Sequence, residues 1–277
     1  MKRLPICLTL ATILLTGCTH EPREITTHTI SNNQCYLLIF DENLFDNVDT
    51  VGLEIGYSVE WPDKGVMSPA AMRELQYLCF GDSTAATVED AAKQWLASVS
   101  YLDDDDALRK KQVDSLDNTI QFYSYYSLES SCWQDSSIAV FTVKSESYRF
   151  GGAHGVYSVD FLTVDKATGN AIHLTDLVAD TNLFCEAIAH ALQDLDVNKD
   201  TRECLFDEFV DVERMPLPHN YTIDSARNSI IVYYGLYEIT CYACGIQEVT
   251  LPIFWLSKHV PLTPYAKRLF GPDSYFQ

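Results

Sequence analysis

The segment from Phe150 to Gly155 sets one histidine, His154, among three glycines, Gly151, Gly152 and Gly155. An imidazole in such a loop could act as a general base or as a metal ligand. The glycines also have a structural explanation, because glycine allows positive φ and lets backbone segments approach closely. We expect the structural role for His154, and we retain the segment as a candidate binding or structural loop.

The cysteines offer a second kind of chemistry. Cys241 and Cys244 have the spacing of a redox dithiol, but a thioredoxin-type site needs the pair at the start of a helix after a strand, whereas Gly245 and a predicted strand follow here. We therefore expect them to be buried or mutually bridged. Cys185 and Cys204 are a possible disulfide between a helix and the following loop, because exported proteins can oxidise thiols. Buried free thiols remain an equal alternative.

Catalytic and metal motifs are missing from the sequence. It contains no His-Glu-x-x-His, no Gly-x-Ser-x-Gly, no Ser-x-x-Lys and no phosphate loop. We therefore assign no catalytic residue, no cofactor and no metal site. Several tyrosines could stack on sugar rings, although tyrosines in strands are more often half-buried sheet residues. These are Tyr123, Tyr125, Tyr126, Tyr233, Tyr234 and Tyr237.

The amino terminus has the features of a bacterial lipoprotein signal. Two basic residues precede an apolar run from Leu8 to Leu15, and Leu15-Thr16-Gly17-Cys18 resembles a lipobox. The run is shorter than the roughly 20 apolar residues that a membrane-spanning helix needs. We therefore expect a signal peptide at residues 1–17, lipidation at Cys18 and a polar tether over residues 18–33.

The charge balance limits the partners. The formal charge of −20 becomes −22 when Lys2 and Arg3 leave with the signal peptide. Such a protein repels phosphate backbones, so we expect no nucleic-acid partner. It attracts basic partners at long range, although acidity also serves solubility alone. Hydrophobic and aromatic contents of 47% and 12% indicate folded domains.

The order of elements predicts an α+β fold, with antiparallel sheet and helices packed on one side. Val51 to Trp61 alternates as a strand does, and Ser68-Pro69 with Gly81 marks the two ends of a helix. We place an N-terminal α+β region at 34–148 and a C-terminal domain at 149–277. The other predicted strands are Cys35 to Phe40, Ile120 to Leu128, Ile138 to Tyr148, Val156 to Val164, Tyr221 to Ile223, Ser229 to Tyr234 and Glu248 to Leu251, and the other helices are Val88 to Leu102 and Asn182 to Leu195.

Two clusters of the second half resemble the RsiV-like domain family. The first, which resembles its glycine-alanine-histidine-glycine signature, is Phe150-Gly151-Gly152-Ala153-His154-Gly155, followed by Thr168-Gly169 and Leu174-Thr175-Asp176-Leu177. The second, which looks like its closing motif, is Tyr237-Glu238-Ile239, Tyr242-Ala243 and Gly245, followed by Val249-Thr250-Leu251-Pro252. The chain departs from the family at Cys241 and Cys244, where proline and alanine are more usual.

The resemblance implies an RsiV-like C-terminal domain and a largely non-enzymatic role, because the family includes the extracellular part of an anti-sigma factor that binds lysozyme. We therefore expect a lipid-anchored lipoprotein of the bacterial envelope that binds a basic protein such as lysozyme, or peptidoglycan. Thr19, in place of a retention aspartate, favours the outer membrane. The residues that we single out are Gly151, Gly152, His154, Gly155, Tyr237 and Tyr242. The alternative is a hydrolase or deacetylase that acts on cell-wall glycan through His154.

Overall fold

The structure is a computed structural model that describes residues 23–40, 49–100, 109–210 and 213–271. The predicted signal peptide and Cys18 lie outside these ranges. Among the residues described, no helix has both the length and the apolar character needed to span a membrane.

The described ranges form strands and helices in alternating groups. The strands are β1 (Thr27–Ile39), β2 (Thr50–Pro62), β3 (Arg109–Val113), β4 (Tyr123–Gln134), β5 (Ile138–Tyr148), β6 (Val156–Asp165), β7 (Asn220–Ile223), β8 (Ser229–Tyr234) and β9 (Gln247–Pro252). The helices are α1 (Pro69–Phe80), α2 (Val88–Ser100), α3 (Leu174–Leu177), α4 (Thr181–Asp194), α5 (Lys199–Cys204), α6 (Asp207–Val210), α7 (Ile253–His259) and α8 (Pro264–Phe270). Short 3-10 turns lie at Asp196–Asn198 and Tyr242–Cys244.

Two sheets organise these elements. The larger has six strands in the order β3-β1-β2-β4-β5-β6, and the smaller has three in the order β7-β8-β9. All neighbouring pairs are antiparallel except β2 and β4, which run parallel. The α+β prediction is therefore confirmed, and β4, β5 and β6 form an antiparallel meander. The larger sheet is mixed rather than purely antiparallel, because the long connection through α1 and α2 returns the chain in the same direction.

Helices α1 and α2 cover one face of the larger sheet. The apolar positions of β2, such as Leu53 and Val59, point to this face and are fully buried. Helix α1 begins as predicted: the Ala71 N–H donates to the Ser68 hydroxyl, with Pro69 at the first turn, and the helix ends at Gly81 with φ of 70°. The chain therefore places its longest alternating strand directly beneath these helices.

The opposite face of the larger sheet is covered at one end by a second core. There, Ile138 and Val140 of β5 join a core formed by α4, α7, α8 and the smaller sheet, with Phe184 among its fully buried members. Their neighbours Ala139 and Phe141 point into the core beneath α1 and α2. This end of β5 is thus covered on both faces. We call the part of the second face that carries exposed side chains of β4, β5 and β6, such as Tyr123, Glu129 and Glu146, the open face.

The amino-terminal strand differs from the prediction. The tether was expected to extend to Asn33, but Thr27–Ile39 forms a strand that pairs with β2 along its whole length, from Thr27 opposite Pro62 onward. Ile25 is also buried, and its N–H donates to the side chain of Gln134. The first half of β1 can be polar because most of its side chains are exposed; backbone pairing with β2 holds it in the sheet.

The domain boundary predicted between residues 148 and 149 falls where β5 ends and the loop to β6 begins. The predicted C-terminal domain therefore supplies β6, an edge strand of the larger sheet.

Candidate functional site

The loop between β5 and β6 carries the predicted glycines, and each has a local reason. Gly151 has φ of 82°, a conformation that other residues adopt at a cost. A Cβ on Gly152 would lie 2.9 Å from the Arg149 carbonyl oxygen, and one on Gly155 would lie 3.0 Å from that of Ser147. The loop therefore folds back closely on the end of β5 and brings His154 to the corner of the open face.

A second segment, between β8 and β9, meets this loop. Its Ile239 is fully buried, and the Ile239 carbonyl accepts from the Phe206 N–H at 3.0 Å. The Gly235 N–H donates to the carboxylate of Glu238 at 2.7 Å. Tyr237 adopts a positive φ of 65°, a strained conformation for a side chain of this size. This buried anchor and these bonds hold the exposed ring of Tyr237 against the β5–β6 loop.

The two segments meet at His154, Gly155, Tyr237 and Tyr242, which we call the histidine cluster. The rings of His154 and Tyr242 stack with centroids 3.7 Å apart and planes 23° from parallel. The Tyr242 hydroxyl donates to the Gly155 carbonyl oxygen at 2.9 Å. The structure thus brings together the histidine and both tyrosines that the sequence singled out from segments more than 80 residues apart.

The contacts of His154 assign roles to both ring nitrogens. Nδ1 lies 2.9 Å from the Gly155 carbonyl oxygen, which can only accept, so Nδ1 carries the proton and donates. Nε2 lies 3.2 Å from the Tyr237 hydroxyl and accepts from it. Each nitrogen therefore already has a partner inside the cluster, which suits an imidazole that fastens two segments together.

Beside the histidine cluster, the open face presents a group of tyrosines. The rings of Tyr123 and Tyr125 lie 6.5 Å apart, and those of Tyr125 and Tyr148 lie 6.3 Å apart. Tyr157 continues the group on β6, with its ring 6.3 Å from that of Tyr242. Side chains of Tyr123 and Tyr157 are 53% and 37% exposed. The cluster and the tyrosines therefore form one continuous aromatic surface.

Carboxylates and one amine lie within this surface. The Tyr125 hydroxyl donates to Glu146 Oε1 at 2.6 Å, and this bond to a carboxylate raises the pKa of Tyr125 to about 12. Glu129 and Lys144 are opposite each other in the register of β4 and β5. Glu129, Lys144 and Glu146 line a groove of about 460 Å³, bordered by Tyr157 and by Ile246 from the second segment. The groove combines the ring of Tyr157 with carboxylates at the protein surface.

A larger cavity of about 590 Å³ lies elsewhere, between the β6–α3 connection and α8. Its central carboxylate, Asp165, accepts from the N–H groups of Ala167 and Thr168 and from the Tyr265 hydroxyl. These bonds shape a turn and occupy both carboxylate oxygens of Asp165. We therefore place the candidate site at the groove, where the exposed carboxylates and rings lie together.

The sequence singled out some of the tyrosines at this surface and not others. Tyr237 is 57% exposed at the site, whereas Tyr234 is fully buried with its hydroxyl bonded to the Pro216 carbonyl. Tyr157 and Glu146 were not singled out. Their signal was the alternation of β5 and β6, which places Glu146 and Tyr157 directly opposite each other in the sheet.

The predicted pairing of Cys185 with Cys204 is not formed, since both are free thiols. Cys185 is buried on α4, and burial raises its pKa. Cys204, at the end of α5, instead lies close enough to Cys244 to raise the pKa of the Cys244 thiol. The reason is the pairing of Leu205 with Thr240, which joins the end of α5 to the segment before Cys241. Within the described ranges, no cluster of His, Cys, Asp or Glu is arranged to hold a metal ion.

The comparisons with known proteins bear on the fold. No family model and no curated protein matches the sequence. A solved structure of a DUF3298 family member from Bacteroides fragilis NCTC 9343 is similar, with a TM-score of 0.55 and 18% identity over 87% of this chain and 95% of that one. A DUF3298 family protein from Pseudomonas aeruginosa PAO1 gives a TM-score of 0.51 and 14% identity over 88% and 97%. The chain therefore has a DUF3298-type fold, while its resemblance to RsiV-like domains stays a prediction.

Proposed function

We propose that this protein is a lipid-anchored binding protein of the bacterial envelope, most plainly suited to a basic protein ligand such as lysozyme. The observation that supports a binding role is the groove on the open face, where the exposed ring of Tyr157 lies with the carboxylates of Glu129 and Glu146. Tyrosine combines a large rigid contact area with a hydroxyl and is favoured in protein interfaces. This surface is exposed without a covering element from the described ranges.

The chemistry of the groove suits cationic side chains. Arginine and lysine pair with carboxylates and also lie over tyrosine faces, so one ligand side chain can contact Glu146 and Tyr157 together. The formal charge of −20 attracts a basic protein before contact, in a salt-dependent way. Lipidation at Cys18 is part of this proposal, because it would hold the groove near the envelope surface where such ligands act.

The proposal is tested by titrating the protein with lysozyme at low and moderate salt. We expect a complex that weakens as salt increases, and that loses roughly tenfold or more in affinity in Tyr157→Ala, the size of effect typical of a central aromatic contact. Glu129→Gln should weaken binding at low salt. Glu213→Gln makes the same charge change at an exposed position outside the groove and serves as the matched control.

Absence of a salt-sensitive complex would exclude lysozyme as the ligand. Soluble peptidoglycan fragments form a second arm of the same titration, because the exposed tyrosines are also suited to sugar rings. Binding of these fragments with loss in Tyr157→Ala, and with no response to Glu129→Gln, would identify a wall glycan as the ligand.

The alternative of a hydrolase or deacetylase requires a histidine that can exchange a proton with substrate. Both nitrogens of His154 are engaged within the cluster, one by Gly155 and one by Tyr237. We therefore favour binding over catalysis. Turnover of a wall glycan that disappears in His154→Ala, while the variant keeps its stability, would reverse this preference.

A further inference from the structure

Three cysteines come together beside the candidate site. The Sγ atoms of Cys241 and Cys244 lie 3.7 Å apart, and Cys204 lies close enough to Cys244 to raise the pKa of its thiol. All three are free thiols; Cys241 is exposed and the other two are partly exposed, so the expectation that Cys241 and Cys244 are buried or mutually bridged is wrong. Since a disulfide needs Sγ atoms about 2 Å apart, Cys241 and Cys244 need only a small movement to be joined.

The backbone holds the three thiols in place. Leu205 bridges Thr240, and the Phe206 N–H donates to the Ile239 carbonyl, so the residues that follow Cys204 are fixed next to those that precede Cys241. Cys241 and Cys244 then lie at the two ends of one 3-10 turn, closed by the Cys244 N–H donating to the Cys241 carbonyl oxygen at 3.0 Å. Their proximity is therefore built into the fold.

The thiols of the pair differ in reactivity. Hydrogen bonds from the Cys244 thiol and then its backbone N–H lower the pKa of Cys241 below its ordinary value. The neighbouring thiol of Cys204 raises the pKa of the Cys244 thiol to about 12. Because the thiolate is the nucleophile in disulfide exchange, Cys241 is the attacking residue, and Cys244 lies behind it as the resolving residue.

The four described cysteines outside this group of three lack these properties. Burial raises the pKa of Cys79 to about 12, and burial with the nearby carboxylate of Glu60 does the same for Cys132. Cys35 and Cys185 are buried. The low pKa, the exposure and a second thiol within reach therefore coincide at Cys241.

We propose that Cys241 and Cys244 form a thiol–disulfide exchange pair that reacts with external disulfides. The Cys241 thiolate attacks one sulfur of the external disulfide, forms a mixed disulfide and releases the first thiolate. Cys244, on losing its proton, then attacks the Cys241 sulfur, forms the Cys241–Cys244 disulfide and releases the second. Two electrons pass from the protein to the external disulfide, which leaves as two thiols. This inference is independent of the ligand that the groove binds.

The test uses oxidised glutathione as the external disulfide. Equilibration in glutathione buffers of increasing oxidation should remove two thiols per chain together, and mass spectrometry of the digest should join Cys241 to Cys244. In the reduced protein, iodoacetamide should label Cys241 at least about a hundredfold faster than the buried Cys79. Half-maximal labelling of Cys241 should fall below pH 9.0, the ordinary thiol value.

Single variants separate the roles of the thiols. Cys244→Ser should trap glutathione on Cys241, because the resolving thiol is missing, and Cys241→Ser should form neither the mixed nor the internal disulfide. Cys204→Ser is the matched control and should still form the Cys241–Cys244 disulfide. Labelling of the unaltered protein needs no variant, so it tests the assignment even if a variant fails to fold.

Several results would overturn the proposal. They are a Cys204–Cys244 disulfide as the main product, glutathione trapped at another cysteine in Cys244→Ser, or thiols at Cys241 and Cys244 that stay reduced in fully oxidised buffer. Labelling of Cys241 at the rate of Cys79 would overturn it as well.

Discussion

Replacing His154 by alanine tests the idea that the histidine fastens two segments together. The change removes the stack on Tyr242 and the two hydrogen bonds, to Gly155 and from Tyr237. An aromatic stack contributes about 0.5–1.5 kcal/mol, and a hydrogen bond about 0.5–1.5 kcal/mol. Because His154 is exposed, water replaces part of each bond, and we expect a total loss of about 1–2 kcal/mol.

Urea denaturation followed by fluorescence and by circular dichroism measures this loss. With a slope of about 2–3 kcal/mol per M, the midpoint should fall by roughly 0.5 M. His219→Ala, at another exposed position, is the control and should stay within about 0.5 kcal/mol of the unaltered protein. A double-mutant cycle with Tyr242→Ala should give a coupling of about 0.5–1 kcal/mol.

Additive effects of His154→Ala and Tyr242→Ala would refute the stacking contact. A midpoint for His154→Ala equal to that of the His219→Ala control would refute the fastening role altogether. Loss of a catalytic turnover with unchanged stability would assign His154 to chemistry.

Three further changes test other parts of the structure. Gly152→Ala forces a Cβ within 2.9 Å of the Arg149 carbonyl oxygen and should lower the unfolding free energy by about 1–3 kcal/mol in urea melts. Burial raises the pKa of Asp160 above 3.8, so the folded protein holds this proton up to a higher pH than the unfolded chain does. The free energy of unfolding should therefore decline as the pH rises from 3.8 through the raised pKa. Thermal melts across this pH window should show a smaller decline for Asp160→Asn. Tyr221→Phe leaves the Ile172 carbonyl without its buried donor and should cost about 1–3 kcal/mol, measured in urea.

Whether an element could be predicted from the sequence depended on what orders it, local side-chain signals or pairing with a distant strand. Strand β2 and helix α1 were placed correctly because side-chain alternation and capping residues are local signals. The polar half of β1 was missed, as was β3, because backbone pairing with β2 and β1 orders them without an apolar pattern. The α+β class followed from the same local signals.

The candidate site was predicted in part for the same reason. His154 and Tyr242 were singled out from their motifs, but their stacking depends on two loops that meet only in the folded chain. The approach of Cys204 to Cys244 depends on the bridge between Leu205 and Thr240, 35 residues apart, which no local pattern encodes. Long-range pairing therefore determined what sequence reasoning left out.

Strand β5 separates two hydrophobic cores and contributes side chains to both, Phe141 to one and Val140 to the other. A gene fragment that stops at residue 148 would leave Val140 bare to solvent, and the complementary fragment from 149 would have β6 with no strand to join. We expect both fragments to aggregate when expressed alone. The two halves of this polypeptide therefore have to be inherited together, as one unit.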